Sequence, residues 1–456
     1  MKNFKNIIIL LLSWMFFSCQ NPSEPSASLV SLVHVDYTNN DALSIDVDEN
    51  YIVLAASDDG YYKFSYELED GVLVVSGIED SDFDGNHDVN FGNDSFDRVV
   101  LSSNNGLVYI LDRGLGGSSG IWLDNIDETT MDTGNYVDNC YQSKYLDIAI
   151  DDSGLGGSVE IVEGAPPVDT DFSHTIYALL KHTNLGGLVT YACDDGSICN
   201  PEFPTCLDGS DCTPVIENIC SDDGSTCNTS SDCSEGVECA PESIDIVQYS
   251  SSIVKRKIDF LGSTTNPMQL FDNGCELLYS GIGYYSKDID YSNNVVAVAN
   301  QSEGIIVFEY NDDSDLVESL SFNVPGAEAQ CVHLDTDAVI GGFSTSSGGN
   351  GGCYIALLGA NSNNDGNYDS VFAEGYSVKS IDTYEDLIGL ATGNSGVQIY
   401  QRMQGSDIVS PYLSIDTDYA YDVFMQHHND ISHVFMNSDN TLDHTAQFTH
   451  VEIIGV

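Results

Sequence analysis

Basic residues are scarce in this chain of 456 residues: 13 Lys+Arg stand against 72 Asp+Glu, a net charge of −59. A nucleic-acid partner is thereby excluded, because phosphate binding needs clustered Lys and Arg. Long apolar runs are missing after the first twenty residues, so no multi-pass membrane body is encoded. Sustained helical periodicity is also missing, which excludes a helical bundle. Close Cys pairs of the CxxC kind do not occur among the clustered cysteines, whose nearest spacing leaves five residues between, and structural zinc sites need closer pairs. Apolar residues are not lacking. At 42% hydrophobic and 10% aromatic, the chain has the material for a core and is not a disordered acidic polymer.

The N-terminus reads as a processing signal. Met1 to Lys5 is basic, Ile7 to Phe17 is apolar and too short to span a bilayer, and Ser18-Cys19 follows. Phe16-Phe17-Ser18-Cys19 resembles the lipobox of bacterial lipoprotein signal peptides, with Phe16 where that family has an aliphatic residue. The resemblance implies that residues 1–19 carry the signal and that Cys19 becomes the lipidated start of the mature chain. Residues 20–28 then form a polar tether. The expected location is outside the cytoplasm, at the outer membrane or cell surface, with membrane contact through the lipid alone.

Twelve cysteines remain after Cys19. Eight crowd into residues 193–240 as two units, Cys193/Cys199/Cys206/Cys212 and Cys220/Cys227/Cys233/Cys239, with 27 residues from Cys193 to Cys220 and from Cys212 to Cys239. The residues between them are Asp, Gly, Ser, Asn and Thr, turn formers with little to bury. Such a duplicated segment holds its shape by cross-links, so it reads as a disulfide framework in an oxidising compartment, its connectivity open. It resembles small Cys-rich modules of secreted proteins.

The body of the chain repeats. Ala42-Leu-Ser-Ile-Asp46, Tyr51-Ile-Val-Leu-Ala55 and Gly60-Tyr-Tyr-Lys-Phe64 recur as Ser286 to Asp290, Val295 to Ala299 and Gly304 to Phe308, then as Ser377 to Asp382, Leu387 to Ala391 and Gly396 to Tyr400. The Asp-to-Gly separation is 14 in each copy, and Asp335 near the middle of 290–382 suggests a period of about 46. Each copy holds three or four short β-branched and aromatic runs, too few to bury both faces alone. Stacking such units gives an all-β solenoid or β-propeller, and four strands per unit favour the propeller. The pattern resembles the LVIVD-type propeller repeats of bacterial surface proteins. The expected fold over residues 29–456 is therefore a β-propeller of about seven blades, six or eight also fitting the spacing. Residues 193–240 would leave the third blade as a disulfide-rich insertion, and Leu29 to Asp36 would close the ring as outer strand of the last blade.

Two acidic loops carry metal-binding chemistry. Asp80, Asp82, Asp84, Asn86 and Asp88 alternate around Gly85, aiming several hard oxygens at one centre, as calcium requires. Phe91 stands where an EF-hand needs Glu, so the match is to the shorter Asp-rich calcium loops of dockerin-like, thrombospondin-type and integrin-type repeats. Asn361, Asn363, Asp365, Asn367 and Asp369 form a second copy, with fewer charges. Both would hold structural calcium before the strands of a following blade.

No catalytic constellation stands out. Gly116-Gly-Ser118-Ser-Gly120 fits GxSxG but lacks the helix a nucleophile elbow requires. His427, His428, Asp430 and His433 surround a turn. Asp46, Asp290, Asp335 and Asp382 recur at matching positions, as a ring at the channel or as turn caps. The expected role is a surface binding or scaffold protein without catalysis, its ligand an unidentified protein or glycan. The alternative is a calcium-dependent surface hydrolase of glycosidase or lactonase type.

Overall fold

The computed structural model describes residues 28–38, 43–56, 61–69, 72–76, 96–102, 107–112, 119–125, 136–138, 144–155, 158–159, 168–169, 172–181, 190–192, 213–215, 218–220, 239–241, 251–261, 269–282, 286–311, 314–345, 351–359, 367–403, 405–428, 431–440 and 445–454. These residues form seven four-stranded antiparallel sheets, the blades of a β-propeller, with no α-helix among them. Blade 1 runs outward through Ser44–Val47, Tyr51–Ala55, Tyr61–Glu69 and Val72–Ser76. Blade 2 uses Phe96–Ser102, Leu107–Asp112, Gly120–Asn125 and Tyr136–Asp138, and blade 3 uses Lys144–Leu155, Phe172–Lys181, Ser251–Leu261 and Gln269–Ile282. Blade 4 is Asp288–Ser292, Val295–Asn300, Gly304–Tyr310 and Leu316–Phe322; blade 5 is Ala327–Leu334, Ala338–Thr345, Gly352–Leu357 and Ser370–Phe372. Blade 6 is Ser380–Tyr384, Leu387–Ala391, Val397–Arg402 and Val409–Ile415.

Blade 7 takes three strands from the C-terminus (Tyr419–His428, Ile431–Asn440, Thr445–Ile454) and its outer strand from the N-terminus, Ser28–Thr38. That outer strand runs antiparallel to Thr445–Ile454, from Ser28 opposite Ile454 to Thr38 opposite Ala446. Joining the N-terminal strand to the three C-terminal ones in one sheet closes the ring.

The apolar runs of the sequence are explained by burial on both faces. Ile52 to Ala55 and Val296 to Ala299 are all fully buried, because each second strand is sandwiched between two neighbouring blades. The core is accordingly seven separate clusters, one at each blade junction. At the junction of blades 7 and 1, Phe435 packs with Ile45, Ile52, Leu54 and Phe64, each such side chain contributing about 1.5–3 kcal/mol.

The glycine recurring 14 residues after an Asp also has a physical reason. Gly304 and Gly396 open the third strand with φ of +90° and +69°, and an added Cβ would lie 2.1 Å from Phe322 O and 2.2 Å from Ile415 O. Neither the backbone angle nor the space admits a side chain.

The segment between the second and third strands of blade 3 contains two short described pairings. Thr190–Ala192 pairs with Thr213–Val215, and Asn218–Cys220 pairs with Cys239–Pro241 so that Cys220 stands opposite Cys239 in the ladder. A further short pair, Ser158–Val159 with Val168–Asp169, follows the first strand of that blade. Cys193, Cys199, Cys206, Cys212, Cys227 and Cys233 lie outside the described residues. Cys275 in the outer strand of blade 3 is disulfide-bonded, whereas Cys331 and Cys353 are buried free thiols.

Gly304→Ala is expected to lower unfolding free energy by at least ~2 kcal/mol through combined strain and clash. Gly274→Ala, at φ +83° but with open space around its Cβ, should cost only about 1 kcal/mol. Equal losses in urea denaturation would assign the whole effect to backbone angle and none to the carbonyl.

Candidate functional site: the channel ring

The first strand of every blade lines a central channel with a cavity of about 300 Å³. Two tiers of side chains face it. The first comprises Ser44, Arg98, Asp147, Asp288, Cys331, Ser380 and Asp422, one from each blade. The second, one pleat further along each strand, includes Asp46, Val100, Asp290, His333, Asp382 and Phe424.

The carboxylates of both tiers reach sideways into the next blade. Ile45 N–H donates to Asp422 Oδ2 at 2.9 Å, Leu101 N–H to Asp46 Oδ2 at 2.8 Å, and Ile289 N–H to Asp147 Oδ2 at 3.0 Å. Val332 and Leu334 N–H donate to Asp288 and Asp290, both at 2.7 Å, and Met425 N–H donates to Asp382 at 2.6 Å. Inner strands of neighbouring blades do not form ladders with each other, so these N–H groups need acceptors, and the carboxylates supply them. The same residues also cap locally: Val47 N–H donates to the other oxygen of Asp46, and Tyr291 N–H to that of Asp290, both at 2.7 Å.

The sequence expectation for this ring needs one correction. Asp335 does not occupy the position of Asp46, Asp290 and Asp382; His333 does. A register shift between Ala329 and Cys331 precedes this stretch, and Asp335 sits past the strand end. There it caps Thr336 N–H at 2.6 Å and pairs, together with Asp337, with the buried Arg402 of blade 6. His333 Nε2 instead meets Thr383 Oγ1 of blade 6 at 2.9 Å, and its Nδ1 lies 3.4 Å from Asp290.

Sequence reading missed the first tier, where the asymmetry lies. Arg98 replaces a carboxylate there, with Nε 3.6 Å from Asp147 and Nη1 3.8 Å from Asp422. The carboxylates around it, Asp147 foremost, hold it firmly charged against burial. Burial, then the Asp147 carboxylate hydrogen-bonded to it, pushes Asp288 well above the usual carboxylate range. Burial likewise raises Asp46 to about 7 and Asp382 to about 6, opposed by backbone hydrogen bonds and, for Asp382, most of all by His333. Chemically, the channel is a polar, partly protonated plug organised around one guanidinium.

Other sequence-derived candidates are placed as follows. Cys19 and the first acidic loop, Asp80, Asp82, Asp84, Asn86 and Asp88, lie outside the described residues, as do Asn361, Asn363 and Asp365. Asn367 is exposed, and Asp369 accepts Leu357 N–H at 2.7 Å across the hairpin it closes. The second acidic loop does not precede a new blade: it joins the third and fourth strands of blade 5, because Ser370–Phe372 pairs back onto Gly352–Leu357.

Replacing Arg98 with Met should destabilise the protein by about 3 kcal/mol at pH 8, since it leaves Asp147 and Asp422 buried without a counter-charge. The loss should shrink at pH 5.5. Carboxylates whose folded-state pKa is raised bind protons that the unfolded chain has released, so stability falls as pH rises from about 4 towards the raised value. Asp46 and Asp382 already impose that sign on the wild type, up to about pH 7 and 6. The variant should steepen it; equal losses at both pH values in urea titrations would remove Arg98 from that balance.

No family model matches the chain, and no curated protein matches it. Among solved structures, several match over most of the chain at low similarity. The crystal structure of RRP9 WD40 repeats superposes with a TM-score of 0.47 at 9% identity, covering 93% of this chain and 100% of that one. Sqt1 of Saccharomyces cerevisiae gives 0.47 at 9% identity over 94% and 99% of the two chains. A computationally designed protein, Ika8, gives 0.43 at 10% identity over 92% and 97%.

Proposed function

We propose that the chain is an exported, lipid-anchored, calcium-stabilised β-propeller that acts as a cell-surface binding or scaffold protein without catalysis. The observation that carries this reading is how the channel carboxylates are used. Asp46 and Asp290 give both oxygens to backbone N–H groups, and Asp382 gives one to blade 7. A hydrolase at the channel mouth would draw its acid and base from these residues, and their commitment to blade junctions opposes that alternative.

Two further features support a surface role. The tether at residues 20–28 leads into Ser28–Thr38, the outermost strand of blade 7, so lipid at Cys19 would hold the ring by its rim. The Cys-rich segment and the Gly-rich stretch Ser344 to Gly352 interrupt single blades and leave the ring intact, which suits variable ligand contact. Calcium bound by Asp80, Asp82, Asp84, Asn86 and Asp88 would tie the connection from blade 1 to blade 2, and the weaker loop at Asn361 to Asp369 would tie a hairpin of blade 5.

The mature chain, from Gln20 onward, is expected to melt several degrees higher in excess calcium than in EDTA. Asp84→Ala should lose most of that increment while melting like wild type in EDTA. An identical calcium increment in both proteins would remove the first loop as the ion site.

A further inference from the structure

Blade 7 holds a second cluster of chemically able side chains, none of which lines the channel cavity. Ile431–Asn440 and Thr445–Ile454 are paired with His433 opposite Glu452 and Phe435 opposite His450. Alternation along a strand therefore places His433, His450 and Glu452 on one face of the sheet. Nitrogen and carboxylate atoms of the three lie within 4.8 Å of one another. His433 Nδ1 and His450 Nε2 are 2.9 Å apart, and the rings stack at 5.2 Å between centroids with 13° between planes.

Their burial is what makes the cluster unusual. His450 is 0% exposed and Glu452 2%, and neither His450 Nδ1 nor Glu452 Oε1 has a hydrogen-bond partner. An isolated buried carboxylate is among the most costly groups a fold can hold, unless it is paired or coordinates a metal. No Lys or Arg is opposite it in the ladder, where its partner is His433.

We propose that His433, His450 and Glu452 form a binding site for a divalent transition metal of the zinc class. Two imidazoles and one carboxylate are a recognised donor set for zinc, at about 2.0–2.2 Å from the ion, and three protein ligands leave a fourth position for water. Two nitrogen donors select against calcium and magnesium, which take oxygen, and towards zinc and its first-row neighbours. The ion would neutralise Glu452 and bridge Ile431–Asn440 to Thr445–Ile454, the strand that carries the ring's closing seam, where Val33 of the N-terminal strand lies opposite His450. It is thus a different site, for a different metal class, from the acidic loops.

The test uses the full mature chain, stripped with a chelator and kept in excess calcium so that oxygen sites are filled. Zinc alone should then bind at one equivalent per chain by elemental analysis, and cobalt should give the visible absorption of a four-coordinate nitrogen-ligated ion. Glu452→Gln and His450→Gln should each weaken zinc binding at least 100-fold, while His427→Gln/His428→Gln should bind as wild type. A stripped wild-type chain that takes up no zinc, or shows no such cobalt spectrum, overturns the site without reference to any variant. So does zinc binding that survives both ligand substitutions or vanishes with the His427/His428 pair.

Discussion

A side-chain carboxylate accepting a backbone N–H from the neighbouring blade is the contact on which the rest of this fold depends. Each blade is a complete sheet within itself, yet its innermost strand faces a polar channel with no ladder partner on the next blade. Asp422, Asp46, Asp147, Asp288, Asp290 and Asp382 fill that gap at the junctions of blades 7 to 1, 1 to 2, 3 to 4, 4 to 5 and 6 to 7. The arrangement has an electrostatic cost, seen in the upward shifts of Asp46, Asp288 and Asp382. Protonation of some members and the single guanidinium of Arg98 offset it.

The two remaining junctions show what happens when the carboxylate is replaced. At blades 2 to 3 the first-tier position is Arg98, and Ser102 Oγ donates to Asp152 at 2.8 Å further along the strand. At blades 5 to 6 the positions hold Cys331 and His333; His333 meets Thr383, while Cys331 is a buried free thiol. These departures break the sevenfold regularity, and the channel lining carries Arg98, Lys287 and Lys379 among several carboxylates.

The architecture was legible because blades repeat their burial. Runs such as Val295 to Ala299 and Leu387 to Ala391 are apolar on both faces, and Gly304 and Gly396 mark a turn that tolerates no Cβ. The N-terminal strand was also legible, as a lone alternating run with no sheet of its own. What the sequence hid depends on register. Asp335 resembled a ring member by spacing, but His333, opposite Ile340, holds the register that Asp46, Asp290 and Asp382 hold opposite Val53, Ala297 and Gly389, and Asp335 falls past the strand end. Arg98, Asp147, Asp288 and Asp422 sit in one tier whose residue type changes from blade to blade, so no repeat signal links them. His433, His450 and Glu452 are brought together by hairpin pairing alone, with no motif between residues 433 and 452.

Taken together, the channel carboxylates and the shared seventh blade describe a ring that should behave as one cooperative unit. Native-state hydrogen exchange on the amides of Ile45, Leu101, Ile289, Val332, Leu334 and Met425 measures this directly. The account predicts that all six exchange with one opening free energy, equal to that of global unfolding. Separate values that fall blade by blade would mean that each sheet opens alone, and would contradict the carboxylate contacts as the element that unites them.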